Sequence, residues 1–386
     1  MRNQETLRSG EGTDVVVVGG GVIGLAIARA LCLRGMKDVM LIERASLGSE
    51  ASHAAAGMLA PQAEAHRADA FFELACASRD LYPSFARELR EETGTDIELE
   101  RTGTLYLAFT EKDEAEIEHR YDWQQRAGLT VKRLSAEEVS RLEPCVSQEV
   151  RGALRFPLDV QVENRRLVAA LSTSVEKYGV RLLTQTHVKS LTIEGGRIRG
   201  VETSRGNVHA PVVVVAMGAW TSFLASSDKA SPLVSIEPVR GQMLCFETNP
   251  RLAHHVIYSP RGYIVPRLDG RLLAGSTTEL AGFEKRVTGA GLHAITSQAL
   301  EIAPAVANLP LVDSWAGLRP RAEDERPVMG ACAEVHGLFY ATGHYRNGIL
   351  LAPLTGELLA EQIMTGSASP LLDAFSPDRF RLVGVN

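Results

Sequence analysis

"VVVVGGGVIGLAIARAL", residues 15–31, decides the fold. Four consecutive valines after Asp14 read as a strand buried on both faces, because a half-exposed strand would alternate with polar residues. The glycines that follow are spaced G-x-G-x-x-G at Gly19, Gly21 and Gly24, and residues 22–33 are helical in pattern. Alone, that glycine spacing carries little information. Between a buried strand and a helix it reads as a turn that cradles a pyrophosphate. Gly19 permits the tight turn, Gly21 lets backbone approach the phosphates, Gly24 permits close helix–strand packing, and the helix N-terminus favours negative charge. The apolar run 15–33 could be taken for a membrane span, but its glycine cluster and Arg29 argue for strand then helix. A second strand, 39–43, completes a β-α-β unit and ends on Glu43, whose carboxylate can accept hydrogen bonds from a ribose diol. A 2′-phosphate would be repelled there, although Arg44 alongside weakens that exclusion.

Outward from this unit, helices are expected over 71–93 (ending at Gly94), 111–126, 135–142 and 164–178. Strands are expected over 104–109, 180–184, within "APVVVVAMGAW", and antiparallel over 239–248 and 256–274; residues 338–364 return to strand, turn and helix. Nucleotide-type units at the start, middle and end are interrupted by β-rich stretches. The expected class is therefore mixed α/β (α+β): a Rossmann-type domain (1–82, 150–228 and 317–386) interleaved with an antiparallel-sheet substrate domain (83–149 and 229–316). Only one G-x-G-x-x-G is present, so a second domain for nicotinamide is not expected. "VVVVAMG" and "LFYATG" are strands ending in glycine, turns that bring backbone near a flat cofactor. These features favour a single FAD over NAD.

A chain of 386 residues suits two domains. A net charge of -6 without basic clusters gives no footprint for nucleic acid or a membrane surface. Cys32, Cys76, Cys145, Cys245 and Cys332 are odd in number and widely spaced, with no metal-ligand spacing, as expected of reduced thiols in a cytoplasmic protein. No metal site is expected, and the polar first fourteen residues lack a signal core.

"GGGVIGLAIA", "ASHAAAGMLAPQAE", "YIVPRLDGRLLAGST", "WAGLRP" and "GHYRNGILLAPLTGELL" together resemble the glycine oxidases of the thiamine (thiazole) pathway, within the D-amino-acid oxidase and sarcosine oxidase superfamily. The resemblance covers nearly the whole chain. It implies a glutathione-reductase-like, D-amino-acid oxidase type of fold with non-covalent FAD. Cofactor contacts are implied at Gly19, Gly21, Val22, Ile23 and Gly24, at Glu43 and Arg44, and at Ala51 and Ser52. Further contacts are implied at Ala56, Gly57 and Met58, at Val188, and along His344, Tyr345, Arg346, Asn347, Gly348, Ile349 and Leu350. The Asn347-Gly348-Ile349 helix start would aim amide donors at the electron-rich end of the isoalloxazine; the plainer reading is that Asn347 caps the helix. His344 would line the flavin without acting as a base.

The resemblance places substrate contacts at Tyr263, Arg319, Arg346 and Met58. Arg319 would take the substrate carboxylate in a planar, bidentate pair; the plainer reading is a surface ion pair with Glu323, Asp324 or Glu325. "YIVPRLDGRLLAG" predicts a hairpin with Asp269-Gly270 as a two-residue turn, which pairs Leu268 with Arg271, Val265 with Ala274, Tyr263 with Ser276 and Arg261 with Thr278. Arg261 stands where the family pattern has a histidine, and Thr278 where it has a methionine. As pocket neighbours facing each other, they are expected to set side-chain and N-substituent preference.

The implied reaction is oxidative deamination of glycine, sarcosine and short D-amino acids. It uses O2 and yields an imine or 2-oxo acid, ammonia and hydrogen peroxide. Implied partners are the amino-acid substrate, thiazole synthase as acceptor of the imine, and further copies of the chain in a tetramer. Alternatives are a D-amino-acid dehydrogenase, a sarcosine oxidase-like enzyme, or a non-catalytic flavin-binding subunit.

Overall fold

The computed structural model describes residues 11–226 and 234–383; residues 1–10, most of the polar N-terminal stretch, lie outside the described residues. Val15–Val18 is an inner strand of a six-stranded sheet, parallel to Val39–Ile42 on one side and Val212–Val215 on the other. Arg181–Leu183 and Leu338–Thr342 extend it, also parallel, and Val328–Ala331 forms an antiparallel edge. The run of valines follows from what covers the sheet. Val15 and Val17 pack among the helices Val22–Leu33, Ala70–Thr93, Asn164–Lys177 and Gly348–Thr365. Val16 and Val18 face the opposite way, against a five-stranded layer that includes Val188–Glu194, Arg197–Thr203 and Gly206–His209. With both faces covered, no position in the strand tolerates a polar side chain.

A separate eight-stranded sheet carries Thr104–Ala108, Gly152–Phe156, Glu237–Glu247, Val256–Tyr258, Tyr263–Pro266, Arg271–Gly275 and Leu311–Arg321 among its strands. Ile264, Leu244 and Ala274 pack on one face with the helix Gly289–Ile302. Tyr263, Val265, Met243 and Leu273 form the opposite face, with Ala56. The expected class is the observed one. Three elements bear on the expected segment boundaries. Ala70–Thr93 runs unbroken through position 82 until Gly94 takes a left-handed φ of 73°, and its Tyr82, Phe85 and Leu89 stay in the helical layer. Gly152–Phe156 pairs with Thr104–Ala108, outside the parallel sheet, and Leu311–Arg321 crosses position 317 as one strand because it pairs along Glu237–Glu247.

Candidate active site

A cavity is lined by the ends of the central parallel strands (Val18, Ile42, Ala341) and by Met243, Tyr263 and Arg319 of the eight-stranded sheet. Gly19 adopts φ +113°, and a Cβ there would stand 2.3 Å from the Ala216 carbonyl oxygen. Gly21 and Val22 line the cavity at a helix start with no side-chain cap on Gly21 and no acidic residue in the first turn. Ser52 accepts a hydrogen bond from the Val22 amide at 3.0 Å. Glu43 accepts from the Gly20 amide at 2.7 Å and the Ala45 amide at 2.8 Å, so its carboxylate is fixed at the tip of its strand. Arg44 lies 3.7 Å from the Trp220 ring centroid and pairs with Glu50. Val188 closes the same end of the cavity.

In the alanine-rich stretch residues 51–54 and 61–64 are helical; between them Ala56, Gly57 and Met58 run along the cavity. Gly57 has φ +68°, and a Cβ would approach the Val162 carbonyl oxygen to 2.0 Å. Arg267, 2% exposed, donates to the Ala56 and Val162 carbonyls, both at 2.8 Å, tying this stretch to the sheet. On the facing side His344, Tyr345, Arg346, Gly348 and Ile349 line the cavity. His344 is buried beside Thr355, and that burial pushes its pKa down to about 3, so it is neutral near pH 7. Asn347 occupies the cap position of Gly348–Thr365 without a side-chain capping bond, which removes the plainer reading of that residue.

At the sheet end, Arg319 donates to the Thr277 carbonyl at 3.1 Å and to Ser276 Oγ at 2.8 Å. Burial pushes its pKa down. Of the carboxylates of the surface-pair reading, Asp324 pairs with Arg379 and Glu325 with Arg321, and none forms an ion pair with Arg319 among the described residues. A guanidinium in the cavity wall whose acceptors are a carbonyl and a hydroxyl is suited to a carboxylate from outside the chain. Two strand glycines that sequence reasoning passed over make the space. A Cβ on Gly241 would stand 2.3 Å from the Arg319 guanidinium nitrogens, and one on Gly275 would stand 2.8 Å from the Tyr263 hydroxyl. An isolated strand glycine signals such close approach. Tyr263 Oη lies 3.3 Å from Met243 Sδ, and its ring stacks on Tyr258 at 5.8 Å, which in turn stacks on Tyr106 at 5.5 Å. Arg346 donates to the Tyr258 hydroxyl at 3.0 Å and lies 3.9 Å from Glu64, whose charge raises its pKa.

Several expected residues fall outside this cavity. The hairpin pairs Tyr263 with Gly275, Ile264 with Ala274 and Val265 with Leu273, one residue from the expected register. Arg267 pairs with Arg271 around a three-residue loop, with Gly270 at φ +87°. Asp-Gly thus ends a longer loop in which glycine supplies the left-handed position, and the far strand turns its opposite face to the site. Thr278 is exposed. Arg261 sits between Asp113 at 2.9 Å and Glu301 at 2.8 Å. Arg261→Ala is therefore expected to leave the ranking of amine substrates unchanged and to cost at most about 1 kcal/mol of stability; an amine panel and a thermal melt check both, and an altered ranking would return Arg261 to the pocket. Gly24 contributes through packing, Asn347 lines a neighbouring cavity, and the Leu350 side chain is buried in the helical layer.

A model of the family described as FAD dependent oxidoreductase matches residues 14–362. The glycine oxidase of Geobacillus kaustophilus is 38% identical over 353 residues, 91% of this chain and 92% of the relative. A crystal structure of glycine oxidase from that organism superposes with a TM-score of 0.91 at 36% identity, covering 96% of this chain and 99% of the other. The "Bifunctional protein ThiO/ThiG" of Synechocystis sp. is 34% identical over 95% of this chain, which spans only 54% of that relative.

Proposed function

Because the chain belongs to the FAD dependent oxidoreductase family, we propose that it is an oxidase of glycine and other small amines, such as sarcosine and short D-amino acids. Its cofactor is FAD. The described residues fit the group: Gly19, Gly21, Gly57 and Gly348 present backbone without side chains along one cavity, and two helix starts whose cap residues make no side-chain capping bond open on it. Gly19 to Ile23 would hold the pyrophosphate, Glu43 and Arg44 the ribose and adenine end, and Ala56 to Met58 with His344 to Ile349 the ring system. The observation that carries the substrate reading is Arg319, a cation in the cavity wall without a carboxylate partner among the described residues.

When bound, FAD would supply a two-electron acceptor for the hydride of the substrate Cα, with O2 as the terminal acceptor and hydrogen peroxide as its product. The chain supplies position. Arg319 anchors the carboxylate, which fixes Cα relative to Tyr263 and Met58. Arg346, held by Tyr258 and Glu64, stands at the boundary with the neighbouring cavity. Neutral His344 adds no charge behind the ring site. From glycine, the imine product hydrolyses to glyoxylate and ammonia. The ThiO/ThiG relative supports a thiazole synthase as an alternative acceptor of that imine; a cytoplasmic location and a homo-oligomer complete the proposal. Peroxide release should follow glycine addition. Flavin that is reduced by glycine but reoxidised only by a quinone would instead mark a dehydrogenase.

The FAD is expected to be non-covalent. None of the five cysteines lines the cavity, and Cys332 is buried in the layer below the parallel sheet. Acid precipitation should leave the flavin in the supernatant, and colour retained in a washed pellet would reverse this expectation.

A further inference from the structure

Pro353 lies inside the helix Gly348–Thr365. Proline has no N–H, so the carbonyl four residues earlier, that of Ile349, loses its intrahelical donor. That carbonyl is not left unmatched: the hydroxyl of Tyr82, on the helix Ala70–Thr93, donates to it. One turn earlier on the same helix, Ser78 Oγ donates to the Leu350 carbonyl at 2.7 Å. Both hydroxyl-bearing residues are fully buried, at 0% exposed, and neither lines the cavity. Ile349, whose carbonyl Tyr82 holds, does line it, together with the preceding Gly348.

We propose that Tyr82 is a positioning residue for the redox chemistry: its hydroxyl replaces the donor that Pro353 lacks and fixes the first turn of the last helix against the flavin. This rests on the reading above that the helix start faces the ring. A donor on the Ile349 carbonyl fixes the 349–350 peptide plane and polarises it. The positive end of the helix then meets the charge that accumulates on the ring during reduction, and the reduced state gains more than the oxidised one. Proline at 353 and tyrosine at 82 therefore act as a pair, 271 positions apart (353 minus 82).

The test uses the FAD-loaded protein and measures the midpoint potential by equilibration with a redox dye, together with the FAD dissociation constant and the melting temperature. Tyr82→Phe keeps the ring and removes the donor. It should lower the preference for reduced over oxidised FAD by ~10-fold, a fall of about 30 mV for a two-electron couple. Tyr82→Phe with Pro353→Ala returns an N–H to the Ile349 carbonyl and should restore most of the potential, which a general loosening of the fold would not do. Ser78→Ala should shift the potential in the same direction and serves alone if Tyr82→Phe does not fold. An unchanged potential in the folded variants, or a fall that Pro353→Ala does not recover, overturns the proposal. Asn347→Asp separates this from the underlying reading. A negative charge at the helix start should lower the potential if the ring is there. A potential unmoved by Asn347→Asp removes that reading and the proposal with it, whereas a response to Asn347→Asp without one to Tyr82→Phe removes the proposal alone.

Discussion

Arg319→Ala is expected to lower kcat/KM for glycine by ~100- to 5,000-fold while the protein still binds FAD. The substrate carboxylate must leave water to reach the cavity, and the guanidinium is what offsets that desolvation. Removing one partner of such a pair costs about 3–5 kcal/mol, and each 1.36 kcal/mol is a factor of about ten in rate. Arg319→Lys should recover little, because an ammonium cannot reproduce the planar two-point contact. Gly241→Ala provides an independent check. Its Cβ would meet the guanidinium at 2.3 Å, so the arginine must leave its bonds to Thr277 and Ser276 although its charge is retained. It should resemble Arg319→Ala in kinetics with little change in flavin content. Steady-state rates with glycine decide both, and near-normal values in Arg319→Ala would remove Arg319 from the substrate site.

Gly24→Ala should be strongly damaging to flavin binding and to stability. Its Cβ would stand 1.9 Å from the Gly19 carbonyl oxygen and 3.1 Å from the carbonyl carbon. Both are backbone atoms of the turn itself, and Val15–Val18 behind them is completely buried, so neither side can retreat. Overpacking of this kind costs about 3 kcal/mol, and here the strain falls on the turn proposed to hold the pyrophosphate. The variant should purify largely free of flavin and melt earlier than the parent. Gly289→Ala is the control: nothing lies within 4 Å of its added Cβ, at the first position of a helix. Wild-type flavin content and melting in Gly24→Ala would show that the turn opens more easily than its packing indicates.

The parts legible in the sequence are those fixed by local rules. The strand–glycine–helix unit at 15–33 is one, and the helices Val22–Leu33 and Glu111–Arg126 fall where their patterns place them. The parts that were not legible depend on partners distant in sequence. Asp269-Gly270 is compatible with more than one turn, and the residue that Gly270 adds to the loop is enough to move Ala274 and Thr278 away from the site. Gly241 and Gly275 read as unremarkable strand glycines until Arg319 and Tyr263 arrive opposite them. Trp220 sits against Arg44 only once Val212–Val215 has been laid beside Val15–Val18. Arg261 looked like a pocket residue by alignment with a family pattern, yet Asp113 and Glu301, both remote in sequence, neutralise it outside the cavity.

The interleaving of the two sheets also sets a schedule. The walls of the cavity draw on residues from Val18 to Ile349, and the parallel sheet sets Val212–Val215 between Val15–Val18 and Leu338–Thr342. On a ribosome, the first strand therefore waits for partners made roughly two hundred and more than three hundred residues later (212 minus 15; 338 minus 15). Such long-range pairing makes assembly slow, since loop closure precedes the contacts that reward it. The glycine turn near the N-terminus emerges early from the exit tunnel but has no second wall until the last helix has followed. Flavin capture is thus expected as a late, post-synthetic event, and a nascent chain halted before residue 338 should retain no flavin at all.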